Sequence, residues 1–289
     1  MGGTSGLGLA AARACIAAGA KVVAVGRDDD QLEPAKAALG AAGLVMAGDA
    51  GDPKTAPAAI RVALGNFGGF HGLYHVAGGS GRRRGDGPLH ELTDEGWDFT
   101  LGANLTAVFY SNRAAVRQFL AQGGGGSVVN LGSVLGQSPS PAHFGTHAYA
   151  TAKAAIAGLT RSAASTYAPH NIRFNVLAPA LVATPMSQRA QGDAAIMAFV
   201  RTKQPLDGGR IGQPQDLDGA VVWLLSDESR FVTGQVIAID GGWSVTEGQV
   251  AKPAEPAAPG AGAGPEAAVP WKQLGRLWGR MRAKSKEEP

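Results

Sequence analysis

Six short apolar runs, separated by longer helix-patterned stretches, constrain this chain more than any other feature. The runs cover residues 21–25, 44–47, 72–76, 127–131, 172–177 and 235–239. Each is too uniformly apolar to leave one face in water, which is the pattern of strands covered on both sides. Helix-like periodicity occupies residues 6–18, 30–40, 53–65, 94–121, 147–168 and 214–226. Such alternation implies right-handed crossovers and an α/β fold with a doubly wound parallel sheet. We place it in a single domain over residues 1–247, and apolar residues at 45% of the chain supply its core.

Charge and cysteine usage exclude several classes of function. The chain carries a net charge of +3, but the excess sits in residues 248–289 and the remainder is balanced. A balanced body carries no electrostatic footprint for nucleic acid. Cys15 is the single cysteine, so no intrachain disulfide forms and a reducing, cytoplasmic setting is expected. It lies in an Ala-rich helical pattern, where a small buried residue is the expected role. No apolar run reaches the 18 residues of a membrane span, and the first residues lack the regions of a signal peptide.

Residues 133–153 carry the chemistry. Tyr149 and Lys153 are four apart at the start of a helical pattern, so phenol and ammonium share one face. A phenol titrates near ~10. A neighbouring cation favours the phenolate and is expected to lower that value. Ser133 adds a neutral hydroxyl that can hold a substrate oxygen. At the other end of the chain, Gly2-Gly3-Thr4-Ser5-Gly6-Leu7-Gly8 stands directly before the first helix. Glycines permit close backbone approach, and a helix N-terminus offers free N–H groups to a phosphate. The G-x-x-x-G-x-G spacing is neither the G-x-G-x-x-G fingerprint nor a nucleotide-triphosphate loop.

Together these motifs resemble the short-chain dehydrogenase/reductase family from Gly2 to Trp243. The glycine motif is matched at Gly2, Gly6 and Gly8, and the catalytic tetrad at Asn104, Ser133, Tyr149 and Lys153. The Asn-Ala-Gly element appears as His75-Val76-Ala77-Gly78, with its Asn replaced. Pro179-Ala180 stands for the Pro-Gly segment, and a D-G-G-W closes the domain at Asp240–Trp243. The interval from Ser133 to Tyr149 is a few residues longer than in the family. The resemblance implies cofactor contacts from Gly2, Thr4, Ser5, Gly6, Leu7, Gly8, Asp49, Ala50, Ala77, Gly78, Tyr149, Lys153, Pro179, Val182 and Thr184. It also implies a homodimer or homotetramer built partly from the helices over 94–121 and 147–168.

One family element is absent: the strand that leads into the glycine loop. Losing about six buried apolar residues costs about 1.5–3 kcal/mol each, so a longer natural chain is expected. NAD-dependent relatives of such folds place an acid after the second strand. Here Gly26 takes that place and Arg27 follows, which favours NADP(H) over NAD(H) because guanidinium pairs with a 2′-phosphate. Asp28 could still reach a ribose, and Asp49 could equally be a turn or capping residue. Asn104 alone would more often be a kink or packing residue.

The remaining features are less specific. Arg82-Arg83-Arg84 suits an anionic substrate, yet a solvated basic loop is the more ordinary role. His143 and His147 lack a third ligand, so no metal site is expected. Residues 181–210, with Met186, Met197 and Phe199, correspond to the family's substrate lid, although the same side chains suit packing. Residues 248–270 form a Pro/Ala/Gly-rich linker. Within 271–289, residues 271–286 carry six Lys/Arg and no acid. Trp271, Leu274, Leu277, Trp278 and Met281 would share one helical arc, as in a segment that docks on an anionic membrane or acidic protein. A solubilising tail accounts for it equally well. The chain is thus read as an NAD(P)-dependent oxidoreductase of a small carbonyl or alcohol. The alternative is a non-catalytic nucleotide-binding sensor or scaffold.

Overall fold

The computed structural model describes residues 1–248. Gly248 apart, the linker over 248–270 and the tail over 271–289 lie outside the described residues. The chain opens on the glycine loop and enters α1 (Gly6–Ala17), followed by β1 (Val22–Gly26), α2 (Leu32–Leu39) and β2 (Gly43–Ala47). Then come α3 (Thr55–Phe67), β3 (Gly72–His75), α4 (Asp94–Leu101), α5 (Ala107–Gln122) and β4 (Gly126–Leu131). A short α6 (Pro141–Phe144) precedes the 21-residue α7 (His147–Tyr167), and β5 (Ile172–Pro179) follows. The last part holds α8 (Gln188–Gln191), α9 (Ala194–Lys203), α10 (Asp218–Leu225) and β6 (Val236–Ile239).

All strand pairs are parallel, and consecutive apolar residues feed opposite faces. Val128 of β4 packs with Phe119 of α5, Ala164 of α7 and Phe174 of β5. Its neighbour Val129 packs with Ala11 of α1, Leu177 of β5, and Val221 and Leu224 of α10. Burial on both faces explains the consecutive apolar pairs Val128-Val129 in β4 and Val176-Leu177 in β5. Each such fully buried side chain contributes about 1.5–3 kcal/mol.

The sheet is in two pieces. β1 pairs with β2, and β3, β4, β5 and β6 pair in that order. Between β1 and β3, where no strand was expected from the sequence, only Met1–Gly3 runs. Gly2 and Gly3 N–H donate to Val25 O at 2.8 and 2.9 Å. On the other side, Val76 and Ala77 N–H donate to Met1 O at 2.9 and 3.1 Å, and the Met1 amino group donates to Tyr74 O at 2.9 Å. Three residues therefore carry the hydrogen-bonded link between the two pieces.

The helix expected over 94–121 is interrupted. Gly102–Thr106 forms a π-helical turn between α4 and α5, with Asn104 buried at its centre. Such turns widen the helix by one residue and redirect a side chain, and they concentrate at functional sites. The lid region over 181–210 is built from α8, α9 and connecting turns. Phe199 of α9 is packed edge-on against the buried Trp243 at 5.7 Å, whereas Met186 is exposed. No helix among the described residues is long and apolar enough to cross a membrane.

Candidate active site

The carboxyl ends of β3, β4 and β5 open toward one place, and the side chains singled out from the sequence gather there. Ser133 follows β4 in extended backbone, and its Oγ accepts the Leu135 N–H at 3.2 Å. The turn it caps lies against α7 so closely that a Cβ on Gly136 would fall 2.8 Å from Ala154 N. Glycine there lets Ser133 approach the face of the helix that carries Tyr149, near enough for its hydroxyl to pull the phenol pKa down. Lys153, one turn on, is buried and donates from Nζ to Leu131 O at 2.9 Å. Its Nζ stands 5.5 Å from the centre of the Tyr149 ring.

The electrostatics differ from the sequence expectation. Burial pushes the Tyr149 phenol up to about 12, and only the Ser133 hydrogen bond pulls the other way. Spacing reveals that Lys153 is near; it does not reveal that Lys153 is turned to the Leu131 carbonyl and is itself desolvated. Burial lowers the Lys153 amine to about 8. In this arrangement Tyr149 is a neutral phenol at pH 7, the form that donates a proton.

Asn104 connects the site to the loop after β3. Its Nδ2 donates to Gly79 O at 2.8 Å and to Thr100 O at 2.9 Å, while its Oδ1 accepts the Gly79 N–H at 3.3 Å. A Cβ on Gly78 would lie 2.6 Å from Asn104 Oδ1 and 3.7 Å from Lys153 Nζ, so residues 77–79 are clasped between helices. On their far side they meet the glycine loop: Gly2, at φ +78°, would press a Cβ to 2.6 Å from Ala77 N.

That loop fits a dinucleotide phosphate on its own geometry. A Cβ on Gly8 would collide with Gly2 O at 1.9 Å, so the chain folds back over the start of α1 only because no side chain is present. Ser5, in extended backbone, precedes a 12-residue helix and spends no side-chain bond on its N-terminal amides. Those amides and the helix dipole suit an anion. Thr4 is buried against Gly26, where a Cβ would meet Thr4 Oγ1 at 1.9 Å, so no acid can stand at the end of β1. Arg27 follows, exposed, with its Nε on Asp28 at 3.0 Å.

The other sequence-derived positions fall as follows. Asp49 is exposed and accepts the Gly51 N–H at 2.8 Å, which is a turn role, with Ala50 inside that turn. Pro179 ends β5, Val182 is buried, and Thr184 faces the glycine loop, 3.5 Å from where a Cβ on Gly6 would stand. The His143 ring packs on Phe199 at 4.9 Å. Among the described residues no group of three His, Cys, Asp or Glu side chains is placed to hold a metal. Cys15 is half-buried, and burial with the nearby Asp218 raises its thiol to about 11.

Two buried polar side chains beside the site escaped the sequence reading. His75 is fully buried at the end of β3, with Nδ1 2.6 Å from Ser111 Oγ and Nε2 3.1 Å from Ala77 O. Burial, the Met1 amino group and Lys153 hold it well below the usual histidine range. A replaced Asn just before Ala77-Gly78 was the signal. The second is Asp86, which the basic run 82–84 concealed and which is buried at 3% exposure.

Comparison with known proteins places this chain among oxidoreductases. Residues 2–244 match the family model described as enoyl-(acyl carrier protein) reductase. The chain is 35% identical over 244 residues to a 2,5-dichloro-2,5-cyclohexadiene-1,4-diol dehydrogenase of Sphingobium indicum, covering 84% of this chain and 94% of that protein. Among solved structures it is similar to a short-chain type dehydrogenase/reductase from Mycobacterium ulcerans. The TM-score is 0.77 and the identity 32%, covering 86% of this chain and 89% of that one. It is likewise similar to levodione reductase, with a TM-score of 0.76 and 31% identity over 84% of this chain and 95% of that one.

Proposed function

The chain belongs to the short-chain dehydrogenase/reductase family, and from that premise we propose that it interconverts a small carbonyl compound and its alcohol, with Tyr149 as general acid/base. The observation that carries the proposal is the meeting of Ser133, Tyr149 and Lys153 beside a loop wedged between Asn104 and the glycine turn. Gly2, Thr4, Ser5, Gly6, Leu7 and Gly8 would hold a nicotinamide cofactor, which would supply or accept the hydride. The family resemblance adds Ala77, Gly78, Pro179, Val182 and Thr184 to that cofactor site. Arg27 favours NADP(H), because the strand end beside it is sterically closed to an acid.

The side chains divide the remaining work. Ser133 holds the substrate oxygen next to the phenol and stabilises charge that develops there. Tyr149, neutral at pH 7, donates its proton to that oxygen in the reductive direction. Lys153 places positive charge under the Tyr149 ring and so favours the phenolate that remains. Asn104 keeps the 77–79 loop in register with the helices on either side. The named relatives act on a cyclic diol and on levodione, so ring alcohols and ketones head the substrate panel. The exposed Trp97, Phe99 and Phe109 on α4 and α5 support self-association through those helices.

The test is Tyr149→Phe. Turnover of cyclic and methyl ketones, followed by NADPH absorbance, should fall about 10³-fold. NADPH affinity should stay within about two-fold, since the phenyl ring keeps the same packing. Undiminished turnover in the variant would end the acid/base assignment, whereas NADPH binding without turnover in the unaltered chain would favour the sensor or scaffold role.

A further inference from the structure

The helix that carries Tyr149 and Lys153 has no N-cap of its own. Thr146 precedes α7 in extended backbone, yet its side chain makes no capping bond. The first amides of a helix have no partner within it, and a buried helix start without partners is costly. Here they are met from 60 residues upstream in the sequence. His147 N–H donates to Gly87 O at 3.2 Å, Ala148 N–H to Asp86 Oδ1 at 3.0 Å, and Tyr149 N–H to Asp86 Oδ2 at 3.0 Å. Both oxygens of one buried carboxylate are thus committed to two successive amides, the second being that of the proton donor itself.

The loop that supplies them is rigidly held. Asp86 N–H and Arg84 N–H both donate to Gly81 O, at 3.1 and 2.7 Å, and Thr93 N–H donates to Gly85 O at 3.2 Å. Thr93 in turn caps α4, accepting the Gly96 N–H at 3.0 Å. From α4 the chain passes directly into the π-helical turn of Asn104. A Cβ on Gly81 would strike Thr100 Oγ1 at 1.8 Å and approach Asp86 Cβ at 3.2 Å, so the loop lies flat on that helix. Asp86 therefore ties the element that holds Asn104 to the element that holds Tyr149.

We propose that Asp86 is a positioning residue for catalysis: its carboxylate fixes the first turn of α7, and with it the height of the Tyr149 phenol over Ser133 and the 77–79 loop. The inference rests on the acid/base role given to Tyr149. A carboxylate bonded to two amides restrains the helix in both rotation and axial shift, which a single-acceptor cap does not. Among the described residues no hydrogen bond joins this cap to the glycine loop or β1, so its loss should leave cofactor binding untouched.

The experiment compares Asp86→Ala, Asp86→Asn and Tyr149→Phe with the unaltered full chain, using NADPH and the best ketone of the panel. Asp86→Ala should lower kcat about 30-fold with the KM for NADPH within about two-fold. Asp86→Asn retains one acceptor oxygen but turns its NH2 toward the second helix amide, so it should recover only part of that loss. Melting by circular dichroism reports folding, and amide exchange at Ala148 and Tyr149 should speed up in Asp86→Ala. Folded Asp86→Ala with unaltered kcat overturns the proposal, as does a kcat loss that Asn does not relieve. An inactive Tyr149→Phe beside fully active Asp86 variants removes this inference alone. A fully active Tyr149→Phe removes the acid/base reading and this inference with it.

Discussion

The β1–β2 pair and the β3–β6 sheet support the two halves of the site by different means. In the four-stranded piece, β4 and β5 are buried almost throughout, and α5, α7, α1 and α10 close both faces. In the two-stranded piece, β2 is mostly half-buried and the link to the rest runs through Met1–Gly3. The first piece positions the side chains to which we assign the chemistry. The second shapes the backbone to which we assign the cofactor phosphate. A site assembled in this way separates the proton-transfer geometry from the grip on the cofactor, and each should fail without the other.

The sharpest way to break that separation is at Gly8. An added Cβ would meet Gly2 O at 1.9 Å, and Gly2 is the residue whose N–H bonds β1 through Val25 O. Gly8→Ala must therefore shift the loop on the β1 side, whereas Ser133, Tyr149 and Lys153 rest on β4 and α7. We expect NADPH dissociation to weaken about 100-fold, equivalent to about 2.7 kcal/mol. At saturating NADPH, kcat should fall only a few-fold. Fluorescence titration and single-turnover rates measure the two quantities separately. A fall in kcat with unchanged affinity would show that the halves are not independent.

The same contrast governs what the sequence disclosed. Local order was legible: Tyr149 and Lys153 lie on one helix because residues four apart share a face, and α7 spans almost the expected range. Apolar runs fixed the strands because both faces of each are covered. Interactions between distant residues left little trace. Asp86 bonds amides 62 and 63 positions away, and no periodicity encodes such a contact. The π-helical turn at Asn104 breaks a helix whose sequence pattern is continuous, because the break satisfies Gly79 rather than any local preference. The phenol's high pKa was equally invisible, since spacing conveys proximity and says nothing about burial.

A smaller effect sharpens the cofactor half. Arg27 is exposed and its pairing with Asp28 is solvent-screened, so little is lost when that pair opens. A 2′-phosphate offers the guanidinium a doubly charged partner. Arg27→Ala should weaken NADPH about ten-fold, or about 1.4 kcal/mol, and leave NADH within two-fold. Equal weakening of both cofactors would return the ribose end to Asp28 and to an NAD preference.

The smallest expected effect lies at the seam between the halves, at His75. Its ring is held neutral by burial, by the Met1 amino group and by Lys153, against a raising hydrogen bond to Ala77 O. The folded-state pKa is thus below the unfolded value near ~6.5. Above that pH both states are neutral and the stability is fully present. As pH falls below it, the unfolded chain binds a proton that the folded chain refuses, so stability is lost until the folded pKa is reached. Between pH 6.5 and 5.5 the loss should be about 1 kcal/mol, seen as a drop of about 3 °C in Tm. The difference between the Tm–pH curves of the wild type and of His75→Asn reports the imidazole. Parallel curves would mean that the seam accepts a charged ring, and that the link through Met1–Gly3 is looser than its hydrogen bonds imply.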